Sequence, residues 1–294
     1  MWIIFAVITV VLWGTSETIF KSVSNEETDS VLKLISYNGI VLGICAVVFM
    51  VITKTNINLN IILTYLPVSI IFITSMFFTY KAMKFIKISI ISPLQNSSCA
   101  ITCLLCVVLL KQELSIIQLI AIISIVIGII LLSINKSEID KSNDIKNYIV
   151  GILFALGYWL LDGIGSFLDD YTLDETLTAE QLIIAFSFIY CIIGIVSFII
   201  LKIKNRNLEN IYLTKAMPKL IDKKLIGTLI ETVGQYTYIY TFAFGEAALA
   251  SPFISAYSIV SLVLSRIFLK EKLNKKQYGL ILLILLGLIT LSIE

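Results

Sequence analysis

Ten apolar stretches of roughly twenty residues leave this chain little choice of fold, because about twenty residues rising about 1.5 Å each cross the roughly 30 Å core of a bilayer. They fall near 2–20, 31–52, 61–80, 87–110, 116–134, 148–168, 181–201, 225–244, 248–268 and 276–293. In lipid every backbone amide must bond within the protein, which permits helices or a closed barrel. Barrel strands alternate polar and apolar residues over about ten positions, and these runs do not alternate. The expectation is an all-α membrane protein with ten transmembrane helices. Its composition, 58% hydrophobic and 14% charged, with a mean hydropathy of +0.97, lies outside the range of soluble domains. The lipid bilayer is its surroundings, and no nucleic acid partner is expected. The first run begins at Trp2 without a basic leader and continues too far for a signal segment, so it is read as the first helix.

The second constraint is a duplication. Displaced by 159 positions without a gap, Pro93 falls on Pro252, Lys111 on Lys270, Leu114 on Leu273, Gln118 on Gln277 and Gly128 on Gly287. Two five-helix repeats follow, residues 1–134 and 148–294, joined by a polar linker over 135–147. Five is odd, so the second repeat enters the membrane inverted, as in many secondary transporters. One set of loops holds Lys21, Lys81, Lys84, Lys87, Lys136, Lys141, Lys146, the basic run from Lys202 to Lys224, and Arg266 to Lys276. The other holds Lys54 and Lys111 together with an acidic stretch from Asp169 to Glu180. The positive-inside rule makes the first set cytoplasmic, which puts both termini outside a plasma (inner) membrane. The segment from Lys204 to Lys224 reads either as a surface helix broken at Pro218 or as a plain loop.

All five cysteines, Cys45, Cys99, Cys103, Cys106 and Cys191, lie inside predicted spans, so no structural disulfide is expected. Histidine is absent. That removes the commonest metal ligand and the usual proton relay, so neither a metal nor a cofactor is expected and proton chemistry falls to carboxylates. A GxxxG spacing at Gly39 and Gly43 reads as a helix-packing feature.

A charged side chain at the bilayer centre costs roughly 2.5–3.5 kcal/mol on insertion scales, so an acid within a span is a candidate functional group. Three qualify: Glu17 in the first span, Asp162 in the sixth and Glu231 in the eighth. Aromatic residues share their helix faces. Trp13 precedes Glu17 by four, Tyr158 and Trp159 precede Asp162 by four and three, and Gln235 and Tyr238 follow Glu231 by four and seven. A carboxylate beside aromatic rings suits an organic cation, because ring quadrupoles attract it and the acid supplies the counter-charge. A plainer reading stays open, since Trp and Tyr also anchor at membrane interfaces and Glu17 lies one turn from Lys21. Asp169, Asp170 and Glu246 fall at span ends and are read as solvated loop.

The fourth and ninth spans carry polar stripes: Ser92, Asn96, Cys99, Cys103 and Cys106 in one, Ser251, Ser255, Ser258 and Ser265 in the other, with Asn96 and Ser255 equivalent in the repeat. Such stripes either line a cavity or pack by interhelical hydrogen bonds. Pro93 and Pro252, each within a span, are expected to bend it.

The Trp13–Gly14 pair, the Ala-rich turn before Ser251–Pro252, and the segment Leu269 to Leu273 before a Gly-containing last helix resemble the EamA family of the drug/metabolite transporter superfamily across essentially the whole chain. The resemblance implies transport of amino acids, amines, nucleotide-like metabolites or drugs. The stretch from Gly14 to Lys21 is also similar to the first helix of the small multidrug resistance proteins, whose glutamate binds proton and cationic drug in turn. By that resemblance Glu17 would couple protons to transport.

The sequence thus reads as a proton-coupled secondary transporter, not an enzyme, for a small organic cation or amine-bearing metabolite. Glu17, Asp162 and Glu231 would be its acids, Trp13, Trp159 and Tyr238 its apolar walls, and Asn96 and Ser255 its polar lining. An exporter of neutral or aromatic amino acids is the alternative. An intramembrane aspartyl protease would need a second mid-span aspartate, and a primary pump a phosphate-binding loop; neither is present. A passive channel differs from the favoured reading only in lacking uphill transport. Oligomeric state is not encoded in any of these features.

Overall fold

The computed structural model describes residues 1–24, 30–133, 145–204, 223–270 and 275–293, and no strand occurs among them. Helix α1 is Trp2–Ser24, α2 Ser30–Thr53, α3 Leu59–Phe85, α4 Ile88–Asn96 and α5 Cys99–Leu105, which continues as a wider turn through Leu110. Then come α6 Ile116–Ser133, α7 Ile145–Glu175, α8 Ala179–Lys204, α9 Lys223–Phe244, α10 Ala247–Ile254, α11 Tyr257–Phe268 and α12 Lys275–Ile293. Most of the linker expected at 135–147, residues 205–222 of the basic segment, and residues 271–274 lie outside the described residues.

Local chemistry sets several helix starts. The Asn58 side chain accepts from the Ile61 amide at 2.9 Å, which satisfies one orphan donor of α3. Ser115 with Gln118 and Thr178 with Gln181 form reciprocal capping boxes at the starts of α6 and α8. Lys111 and Lys270, equivalent in the repeat, both take the left-handed conformation, with φ of 56° and 57°.

Among the described residues, six helical segments are long and apolar enough to cross a membrane: Trp2–Val23, Val31–Thr53, Leu59–Phe85, Lys146–Glu175, Ala179–Ile203 and Ala247–Phe268. Leu94–Leu110 and Ile116–Gly128 are shorter apolar helices. Helix α9 differs because it carries Thr228, Glu231, Thr232 and Gln235, all of which it buries. The surface is apolar, and polar and charged side chains are buried among the hydrophobic core. Ile4, Val11, Val48, Ile120 and Ile192 are exposed, while Ser16, Glu17, Ser92, Thr102, Asp169 and Ser261 are buried, the distribution suited to a lipid surround.

The spans read as continuous at 87–110 and 248–268 are interrupted. At Ser97–Ser98 and at Ser255–Ala256 the helix tightens to bonds of i→i−3 type, such as Ser98 N to Gln95 O and Ala256 N to Phe253 O. Serine hydroxyls donate to backbone carbonyls there, Ser97 to Leu94 O at 2.7 Å and Ser255 to Ser251 O at 2.9 Å, in competition with the helical ladder.

The halves pack reciprocally. Helix α2 lies on α8, α6 on α12, α1 on α9 and α3 on α7; α4 contacts α11 while α5 contacts α10. A Cβ on Gly39 would stand 2.4 Å from the Tyr190 carbonyl and 2.7 Å from Gly194 Cα, so the GxxxG spacing is where α2 and α8 meet backbone to backbone. A second pair of glycines, Gly14 and Gly163, meets residues that are themselves related by the 159-residue register. A Cβ on Gly14 would meet Val260 Cβ and the Tyr257 carbonyl; one on Gly163 would meet Ile101 Cβ and the Ser98 carbonyl. The Ser261 hydroxyl donates to Gly14 O at 3.3 Å, and its equivalent Thr102 to Gly163 O at 3.1 Å. With Gly14 superposed on Gly163, an offset of 149 residues, Glu17 corresponds to Ser166, so the acid stands on one side of the repeat only.

Candidate functional site

The close approach at Gly14 brings α11 against the face of α1 that bears Trp13 and Glu17. Ser261 from α11 and Ser92 from α4 both donate to Glu17 Oε2, the latter at 2.7 Å. Asn96 Nδ2 in turn donates to Ser92 Oγ at 3.2 Å. Ser16 donates to Glu231 Oε2 on α9, and Ser98 to Asp162 Oδ2 on α7 at 2.7 Å. Each of the three acids therefore has a serine donor. A hydroxyl both donates and accepts, so it can turn to serve either the ionised or the protonated carboxyl. Glu17 is 6% and Glu231 9% exposed, and the two lie close enough to interact electrostatically. The Lys21 ammonium donates to the backbone carbonyls of Met83 and Ile86.

The three acids face one cavity of about 60 Å³, lined by α1 (Trp13, Glu17, Phe20), α3 (Phe72, Ser75, Met76, Thr79, Tyr80, Met83), α7 (Tyr158, Asp162), Phe186 of α8, Glu231 and Gln235 of α9, and Tyr257 of α11. At roughly 10–15 Å³ per water, it admits a ligand of only a few heavy atoms without side-chain movement. No lysine or arginine is among these residues. A smaller cavity of about 20 Å³ adjoins it, with Asn96, Ser98, Ser166, Tyr238, Ser251 and Ser255 in its lining. Trp13, Tyr158, Asp162 and Tyr257 line both and so form the wall between them. The wall is tightly built. The Trp13 indole stacks on Tyr238 with centroids 4.9 Å apart and meets Tyr257 edge-on at 5.8 Å, while the Tyr158 hydroxyl is within hydrogen-bonding reach of Asp162 and Tyr257.

Of the residues singled out in the sequence, Glu17, Asp162, Glu231 and Trp13 border the larger cavity, and Asn96, Ser255 and Tyr238 the smaller. Trp159 borders neither; its neighbour Tyr158 takes that position. Ser16, Ser98, Ser261 and Tyr257 were not singled out. Ser261 carried one signal: it is the repeat equivalent of Thr102, a second hydroxyl at the same helix contact.

Two acids overturn the loop reading. Asp169 and Asp170 are 0% and 2% exposed, because α7 runs on to Glu175 and takes them inside. Donors from elsewhere meet one oxygen of each: Tyr65 donates to Asp169 Oδ1, and Gln112 Nε2 to Asp170 Oδ2. Glu246 stays exposed ahead of α10.

Comparison with known proteins gives concordant results. The model of the EamA-like transporter family matches residues 1–134 and again 149–293. An uncharacterized protein of Methanocaldococcus jannaschii is 31% identical over 146 residues, which is 50% of this chain and 96% of that one. A solved crystal structure superposes with a TM-score of 0.67 at 13% identity, covering 99% of this chain and 96% of the other; at that identity the likeness concerns the fold alone.

Proposed function

This chain belongs to the EamA-like transporter family, a family of membrane transporters, and on that premise we propose that it is a proton-coupled secondary transporter for a small organic cation or amine-bearing metabolite. The observation that carries the cation preference is the lining of the larger cavity, three carboxyls with aromatic faces and no basic side chain. An anion entering it would meet like charge with no counter-ion. Glu17 is the coupling residue of this reading: its two serine donors serve it with or without a proton, so substrate and proton exchange at one carboxyl. Trp13, Tyr158 and Tyr257 offer ring surface to the ammonium group.

Ten spans in two inverted repeats, with both termini outside a plasma membrane, belong to the same proposal. The α4–α11 and α5–α10 contacts support inversion, since broken helices that pair first half with second half cross antiparallel. The half-length relative supports a five-helix unit as the thing duplicated.

A second reading is favoured by the smaller cavity. Asn96, Ser251 and Ser255 place amide and hydroxyl groups beside Asp162, an arrangement that also suits a zwitterion with its ammonium at the acid and its carboxylate at these groups. A thermal-shift screen of purified protein separates the readings, because a ligand of the folded state raises the melting midpoint. Small primary and quaternary amines should raise it and monocarboxylates should not. Stabilisation by amino acids but not by their decarboxylated amines favours the second reading, and stabilisation by monocarboxylates alone overturns both.

A further inference from the structure

The central acids account for the larger cavity, yet α7 carries the polar track past it. Asp162, Ser166 and Asp169 follow one another on one face of that helix, at about 1.5 Å of rise per residue, over about 10 Å. Ser166 and Tyr238 border the smaller cavity together with Asp162, and Tyr238 donates to Ser166 Oγ at 3.2 Å. Beyond them Asp169 is 0% exposed. Tyr65 of α3 donates to its Oδ1, Tyr238 of α9 is within hydrogen-bonding reach, and its Oδ2 is buried with no hydrogen-bond partner. The other titratable groups around it are Asp162 and Asp170 of its own helix, with Cys106, which follows α5, beside Asp170. None of these neighbours is a base.

A buried carboxylate with an orphan oxygen and no cation is costly. A single proton on Oδ2 removes the charge, and the site has no set of free oxygens for a metal ion. We propose that Asp169 is a second proton-binding site of the transport cycle, taking up a proton delivered through the Ser166–Tyr238 hydroxyls from the central acids and releasing it at the end of α7 near Thr176. The proton moves without any change in covalent bonds other than O–H: one carboxyl loses it and the Asp169 carboxylate gains it. In this arrangement the 31-residue length of α7 has a function, since it carries a buried acid about 10 Å along the helix from Asp162 toward its C-terminal end.

The site rests on the proton-coupled reading, but its test needs no substrate. Infrared difference spectra of the purified protein in lipid, recorded as pH is stepped, resolve the C=O stretch of each protonated carboxyl. Asp169→Asn should remove one titrating band and leave the band lost in Glu17→Gln. Asp169→Glu should retain the band at a shifted frequency, which guards against a variant that misfolds. Tyr238→Phe removes a hydroxyl neighbour and should move the midpoint of the Asp169 band. A spectrum unchanged by Asp169→Asn, or an Asp169 band that does not vary with pH, overturns the proposal. Loss of the Glu17 band assignment with the Asp169 band intact would instead count against the central coupling residue.

Discussion

Gly14→Ala is the substitution whose cost follows most directly from the geometry. The added Cβ would lie 2.5 Å from Val260 Cβ and 2.9 Å from the Tyr257 carbonyl, whereas ordinary carbon contacts are about 3.5–4.0 Å. Neither neighbour is the free end of a flexible side chain, so α1 and α11 must part by about 1 Å. Overpacking of this kind costs about 1–3 kcal/mol, and parting also draws Ser261 away from Glu17, a bond to a charged group worth about 1.5–3 kcal/mol. The two losses share one displacement and do not add fully, so about 2–4 kcal/mol is expected. For a chain of this size that lowers the melting midpoint by roughly 3–7 °C. Thermal unfolding in detergent, followed by tryptophan fluorescence, measures it. Gly279→Ala is the control, since nothing lies within 4 Å of its added Cβ; it should be neutral or stabilise by up to about 1 kcal/mol. Gly14→Ala with Val260→Gly should recover part of the loss, showing coupling between the two sites. A midpoint for Gly14→Ala equal to that of Gly279→Ala would refute the close approach and with it the placement of Ser261 on Glu17.

Two further outcomes are expected. A cysteine at Thr176, in the short turn after α7, should react with an impermeant thiol reagent added outside intact cells, and one in the 205–222 connection should not; the reverse pattern would invert the proposed orientation. Trp13→Leu should weaken binding of the most stabilising amine several-fold, consistent with about 0.5–2 kcal/mol for a lost cation–ring contact, whereas Trp159→Leu should leave it unchanged; equal effects would contradict the cavity lining.

Much of the interior was legible because the repeat wrote it twice. The 159-residue register, found in Pro93/Pro252 and Lys111/Lys270, reappears as matched contacts of Ile101 and Val260 on glycines of the opposite half. The acids were legible because charge in a span is costly. What failed was the facing of adjacent side chains and the partners distant in sequence. Tyr158 and Trp159 lie four and three residues before Asp162, about 40° to one side of it and about 60° to the other at 3.6 residues per turn, so helical spacing alone could not decide which ring borders the cavity. Asp169 and Asp170 looked like loop because a twenty-residue span ends before them, and their donors Tyr65 and Gln112 lie 104 and 58 residues away in sequence. The serine partners were hidden for the same reason: Ser261 reaches Glu17 across 244 residues.

The central claim is that substrate cation and proton exchange at Glu17. Binding of the most stabilising amine to purified protein in weakly buffered solution, followed with a pH-indicator dye, measures it directly. Wild type should release up to one proton per amine bound, and Glu17→Gln should lose both the release and most of the affinity, while Glu231→Gln retains more of each. Amine binding by Glu17→Gln at wild-type affinity with undiminished proton release would contradict the account.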